Sequence, residues 1–118
     1  MTHEFGKRVR ERRQALCQRG PQFSLRQVAE RVGVTPSFLS KVERGDLPPP
    51  SEAAIKRLAA ILEENQDELL ALAGKLSSDL KDAILRRPAL MATLIRRVNE
   101  ADDQQVLQII GEVRKGRR

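Results

Sequence analysis

The chain has 118 residues, 22 Lys and Arg against 16 Asp and Glu, a formal charge of +6, and three aromatic side chains, all Phe. That length suits one compact domain with an appendage, and an apolar fraction of 40% builds a modest core from Leu, Ile, Val and Ala. A single Cys (Cys17) and a single His (His3) exclude an internal disulfide and a convincing zinc site, so no metal or cofactor is expected.

Charge is uneven along the chain. Residues 1–50 hold ten Lys and Arg against five Asp and Glu, while residues 51–118 hold twelve against eleven. A basic front half attracts polyanions. Charged residues begin at Glu4, and no apolar run approaches the ~18 residues of a membrane span. With no targeting signal visible, the expectation is a soluble, cytoplasmic protein without a membrane segment.

Period-2 alternation and tight hairpin turns are missing, whereas helical periodicity runs almost throughout, so the chain reads as all-α. Phe5, Val9 and Leu16 share a face of a basic first helix, which Gly20-Pro21 ends. Ser24 is placed to cap a second helix, with Gln27 at capping-box spacing, apolar residues at Leu25, Val28, Ala29 and Val32, and Gly33 as its stop. Thr35-Pro36 opens a third helix running to about Arg44, where Gly45-Asp46 ends it. Pro48-Pro49-Pro50 forms a stiff connector. Ser51 caps a fourth helix carrying Ile55, Leu58, Ala59 and Leu62. A fifth starts at Asn65 or Gln66 and ends at Gly74.

Beyond it, Ser77 or Ser78 caps a helix with Leu80, Ala83 and Ile84. Pro88 fits the first turn of another, with Met91, Leu94, Ile95 and Val98. The last carries Val106, Ile109, Ile110 and Val113, ahead of a basic tail, residues 114–118, expected to be disordered.

Residues 25–44 form the informative unit. Two steeply crossing helices need a small residue where they meet, here Ala29, and a left-handed turn residue, here Gly33. Leu39 and Val42 give the third helix an inner face that meets Val28 and Val32. Its outer face presents Ser37, Lys41 and Arg44 at i, i+4 and i+7, with Ser40 alongside. Short polar groups and a long cation can enter a major groove and meet base edges, and Lys can donate to the acceptors of guanine. Phe38 stands on the flank, available either to the core or to a thymine methyl. With one His, one Cys and scattered carboxylates, no nucleophile–base set exists and no enzyme is expected.

The run from Ser24 through Gly45, with residues 5–13 and 50–73 around it, resembles the Xre family of Cro/lambda-repressor-type helix-turn-helix regulators. The resemblance covers about the first 74 residues: Ala29, Gly33, the inner apolar pair and the closing Glu43-Arg44-Gly45 all stand at family spacing. It implies a five-helix DNA-binding domain over residues 1–74, whose second and third helices form the reader. Carried over by position, Pro36, Ser37, Ser40 and Lys41 fall where family members touch bases, while Arg26, Gln27 and Thr35 fall near phosphates. Arg44 joins the backbone set and Phe38 the base-facing set. Arg13 and Glu43 match a family ion pair. Two departures stand out: Leu25 replaces a usual Gln, and the link from Arg13 to Ser24 is longer than usual. That link either extends the first helix or adds a basic contact through Arg19.

Residues 76–118 are too few to bury their apolar stripes alone. The economical partner is a second copy, with Leu94, Ile95, Ile109 and Ile110 in a homodimer interface, giving a dimeric repressor on a palindromic operator. The rival reading is an antitoxin-like module whose C-terminal region binds a different protein while its helix-turn-helix autoregulates the operon.

Overall fold

A computed structural model describes residues 2–116, with side chains from Glu4 onward. The terminal Arg117 and Arg118 of the expected basic tail, and the side chain of His3, lie outside the described residues. Secondary structure among them is entirely helical: α1 Thr2–Leu16, α2 Leu25–Val32, α3 Pro36–Glu43, α4 Glu52–Leu62, α5 Gln66–Leu72, α6 Ser78–Arg86, α7 Pro88–Asn99 and α8 Asp103–Lys115. Two short 3₁₀ turns, Cys17–Arg19 and Pro21–Phe23, join α1 to α2. The chain divides into two compact units, Met1–Ser77 and Ser78–Arg118.

The first unit holds the core. Phe5, Val9 and Leu16 of α1 meet Val28, Ala29 and Val32 of α2, Leu39 and Val42 of α3, Ile55 and Leu58 of α4, and Leu69 and Leu70 of α5. Burying each Val-, Leu- or Ile-sized side chain stabilises by about 1.5–3 kcal/mol. Phe23 is also buried, anchoring the second 3₁₀ turn beneath the reader, a role the sequence reading does not anticipate.

Local chemistry sets the helix ends. Ser24, Thr35 and Ser51 each accept a backbone N–H three residues on, from Gln27, Phe38 and Ala54. Such a cap stabilises a helix by about 1 kcal/mol. Gln27 has the spacing for a capping box, but only the Ser24 half forms. A complete box appears elsewhere, at Asp102 and Gln105 ahead of α8. Gly33 ends α2 at φ 93°, where Val34 N–H closes back on Ala29 O at 3.0 Å. Glu63 ends α4 the same way at φ 57°, an uncommon position for a residue with a side chain.

The longer α1–α2 link resolves into three further helical residues and the two turns. Arg19 stays on the surface, where it pairs with the exposed Glu63 at 2.7 Å. The expected disordered tail is corrected in part: Arg114 and Lys115 complete the last turn of α8, where cations favour the negative end of the helix dipole.

The second unit is three amphipathic helices with no buried side chain among the described residues. Leu94, Val98, Val106, Ile109, Ile110 and Val113 of α7 and α8 line an open apolar groove of about 420 Å³.

Candidate nucleic-acid interface

The interface is built on α2 and α3. Ala29, fully buried, and Gly33 let the two helices meet through a tight turn. Arg57 of α4 locks that turn, its Nε donating to the Val32 carbonyl at 2.8 Å. This support is invisible in the sequence because the partners stand 25 residues apart.

On α3, Leu39, Val42 and Glu43 face inward, and this fixes which residues face out. Pro36, Ser37, Lys41 and Arg44 are exposed, as are Thr35 at the cap and Arg26 and Gln27 in the first turn of α2. The Lys41 side chain has no hydrogen bond or ion pair among the described residues, so its charge is free to meet a partner. Arg44 instead donates from Nε to Asp46 Oδ2 at 3.0 Å and from Nη1 to Ser40 Oγ at 3.1 Å, which holds Ser40 and Arg44 as one unit. Phe38 is half-buried and packs against the core while keeping an exposed flank. Leu25 is half-buried and contributes no polar group.

Arg13 and Glu43 form a fork: Nε to Oε2 at 2.7 Å and Nη2 to Oε1 at 3.0 Å. The Glu43 hydrogen bond raises the affinity of the Arg13 guanidinium for its proton. The pair joins α1 to the end of α3, and so orients the helix that presents Lys41.

The basic surface expected of α1 is largely neutralised within the fold. Arg8 pairs with Glu64 and Glu68 at 3.1 and 3.2 Å. Arg12 donates to the Leu62 carbonyl at 2.8 Å and pairs with Glu64 at 3.4 Å. No group of three or more His, Cys, Asp or Glu among the described residues could hold a metal ion. No helix among them is long and apolar enough to cross a membrane. Cys17 is exposed, its thiol donating to the Phe23 carbonyl at 3.1 Å.

A buried two-helix pair, its glycine turn and an exposed polar third-helix face define a helix-turn-helix. The chain belongs to the helix-turn-helix domain family, which it matches over residues 4–72. It is 34% identical over 74 residues to an uncharacterized HTH-type transcriptional regulator of Bacillus subtilis, an alignment spanning 63% of this chain and 50% of that protein. Two Mycobacterium tuberculosis proteins, also named uncharacterized HTH-type transcriptional regulators, are each 39% identical over 71 residues, covering 57% of this chain and 50% of theirs. The chain thus spans about half the length of the curated relatives it matches. No solved structure matches it.

Proposed function

We infer that the protein is an Xre-type transcriptional regulator that binds double-stranded DNA by sequence and acts in the cytoplasm as a homodimeric repressor. The observation that carries this reading is the outer face of α3: exposed Pro36, Ser37 and Lys41 on a helix whose other face is clamped into the core, with Lys41 unpaired among the described residues. Lys41 and Ser37 read base edges, Ser40 and Phe38 flank them, and Arg26, Gln27, Thr35 and Arg44 meet the backbone. The helix-turn-helix regulators that the chain resembles support the same reading. Repression follows from occupancy of promoter DNA.

Dimerisation belongs to the second unit. Leu94, Ile109 and Ile110 line its groove at 38–46% exposure, and Ile95, next in the chain to Leu94, is 50% exposed. Two copies would bury what one leaves open, and a two-fold dimer of such readers binds two half-sites about one DNA turn apart.

Selection of bound duplexes from a random pool at near-physiological salt tests the reading. Enrichment of an inverted repeat with half-sites about 10 base pairs apart is expected. Binding to every duplex alike, without enrichment, overturns sequence-specific regulation and moves the weight to a protein partner.

A further inference from the structure

α1 carries its cations on two sides with different fates. Arg8, Arg12 and Arg13 are tied to Glu64 and Glu68, to Glu63 and Glu64, and to Glu43. Arg10 is exposed, and its side chain forms no hydrogen bond or ion pair among the described residues. It stands on the rim of a cleft of about 160 Å³ whose other walls are Arg13, Gln14, Leu25, Ser40, Glu43 and Arg44.

The charge balance of that cleft favours an anion. Its one carboxylate, Glu43, is 4% exposed and saturated by the Arg13 fork. Arg44, half neutralised by Asp46, keeps its Nη2 donors uncommitted after Nε and Nη1 are used. Gln14 adds an amide donor, and Leu25 supplies an apolar wall with no competing acceptor. Arg10 brings the uncompensated positive charge.

Position selects the anion. Ser40 and Arg44 wall the cleft and also border the outer face of α3, one turn from Ser37 and Lys41. A helix lying in a major groove about 12 Å wide is flanked by the sugar–phosphate backbone. We propose that this cleft seats one backbone phosphate of duplex DNA, gripped by Arg10 and Gln14 of α1 and by Arg44 beyond α3. The seat rests on the DNA-binding reading above and fixes how deep and at what angle α3 enters the groove. Arg10 and Gln14 are positioning residues for the reader, and they carry no base information.

The experiment uses the full chain, a duplex enriched from the random pool and a scrambled duplex of equal length. Arg10→Ala and Arg10→Gln are expected to weaken binding to both duplexes about equally, by about tenfold at low salt. They are also expected to lower the slope of log K against log salt by about 0.9, the value of one phosphate contact. Lys7→Ala is the control: it removes a cation from the same helix, but from a hollow lined by Glu4, Arg8, Glu11 and Leu72, and is expected to leave the slope unchanged. Neutral methylphosphonate linkages, walked along a half-site, locate the contact. At one position the substitution weakens the wild-type chain and leaves Arg10→Ala unaffected. Arg10→Ala binding with wild-type affinity and slope, or losses that add to those of every methylphosphonate, overturns the seat alone. A wild-type chain that binds no duplex at any salt overturns the DNA reading along with it.

Discussion

Glu43 keeps only 4% of its side chain accessible, and a carboxylate that deep is tolerable because Arg13 meets it with two parallel donors. Removing one partner of such a pair leaves the other charge buried and unmatched, at a cost of about 3–5 kcal/mol. Arg13→Ala is therefore expected to lose that much stability in urea denaturation, with an unchanged m-value. Arg13→Met combined with Glu43→Leu is expected to regain most of it, because apolar replacements of similar volume remove the uncompensated charge. A double variant as unstable as Arg13→Ala would show that the fork contributes through packing.

Lys41 poses the opposite case, a charge with nothing to hold it in place. Lys41→Ala is expected to leave the melting temperature unchanged and to cost about 1–3 kcal/mol on the selected duplex, relaxing preference at one base position. Competition binding against single-base variants of that duplex measures it. A loss equal on all variants would make Lys41 a phosphate contact. Lys41 was legible in the sequence from the spacing of the third helix, and the Arg13–Glu43 pair from the family resemblance. The partners of Arg8, Arg12 and Arg19 were not, since each lies 44 or more residues away in the chain.

Among elements, α1 approaches the backbone at the end of α3 closely at Gly6. A Cβ built there would collide with the carbonyl oxygen of Val42 and lie 2.8 Å from that of Glu43, which are backbone atoms unable to swing aside. Gly6→Ala is expected to destabilise by about 1–3 kcal/mol through forced separation of the helices, read as a lower urea midpoint. Because the shift would move α3, binding of the selected duplex is expected to fall further than Lys41→Ala alone explains. In the sequence Ala29 marks the small residue of the helix pair, but Gly6 shows no role, since a glycine inside a helix carries no mark of what crosses it. Gly33 was legible: a glycine just after an apolar-periodic stretch is the usual left-handed stop, and it stands at φ 93°. Glu63 in the same conformation was not, because a glutamate gives no such signal in the sequence; Arg12 holds the neighbouring Leu62 carbonyl and Arg19 pairs with the Glu63 carboxylate.

Across the whole molecule the two units differ in kind. The first buries a continuous apolar cluster, and the second leaves Leu85, Leu90, Leu107 and Val113 each more than 60% exposed. Light scattering of the full chain is expected to report a dimer, and Leu94→Asp with Ile110→Asp to return a monomer that keeps its helical circular dichroism. A monomeric wild type would remove the groove from the dimer reading. A wild type that stays dimeric with both aspartates in place would move the interface elsewhere.

From the sequence alone came the helical class, the caps at Ser24, Thr35 and Ser51, the glycine stop at Gly33 and the outward stripe of α3. Each of these is a local matter of a few residues, where backbone preference and a 3.6-residue period decide the outcome. Tertiary structure alone decided which cations remain available for DNA. The sequence shows a predominantly basic α1, but folding brings Glu43, Glu63, Glu64 and Glu68 against Arg8, Arg12, Arg13 and the following Arg19, leaving Lys7 and Arg10 exposed, with Arg10 beside the α3 cleft. The physical reason is range: charge partners are set by which helices pack together, and packing joins residues that the chain keeps far apart.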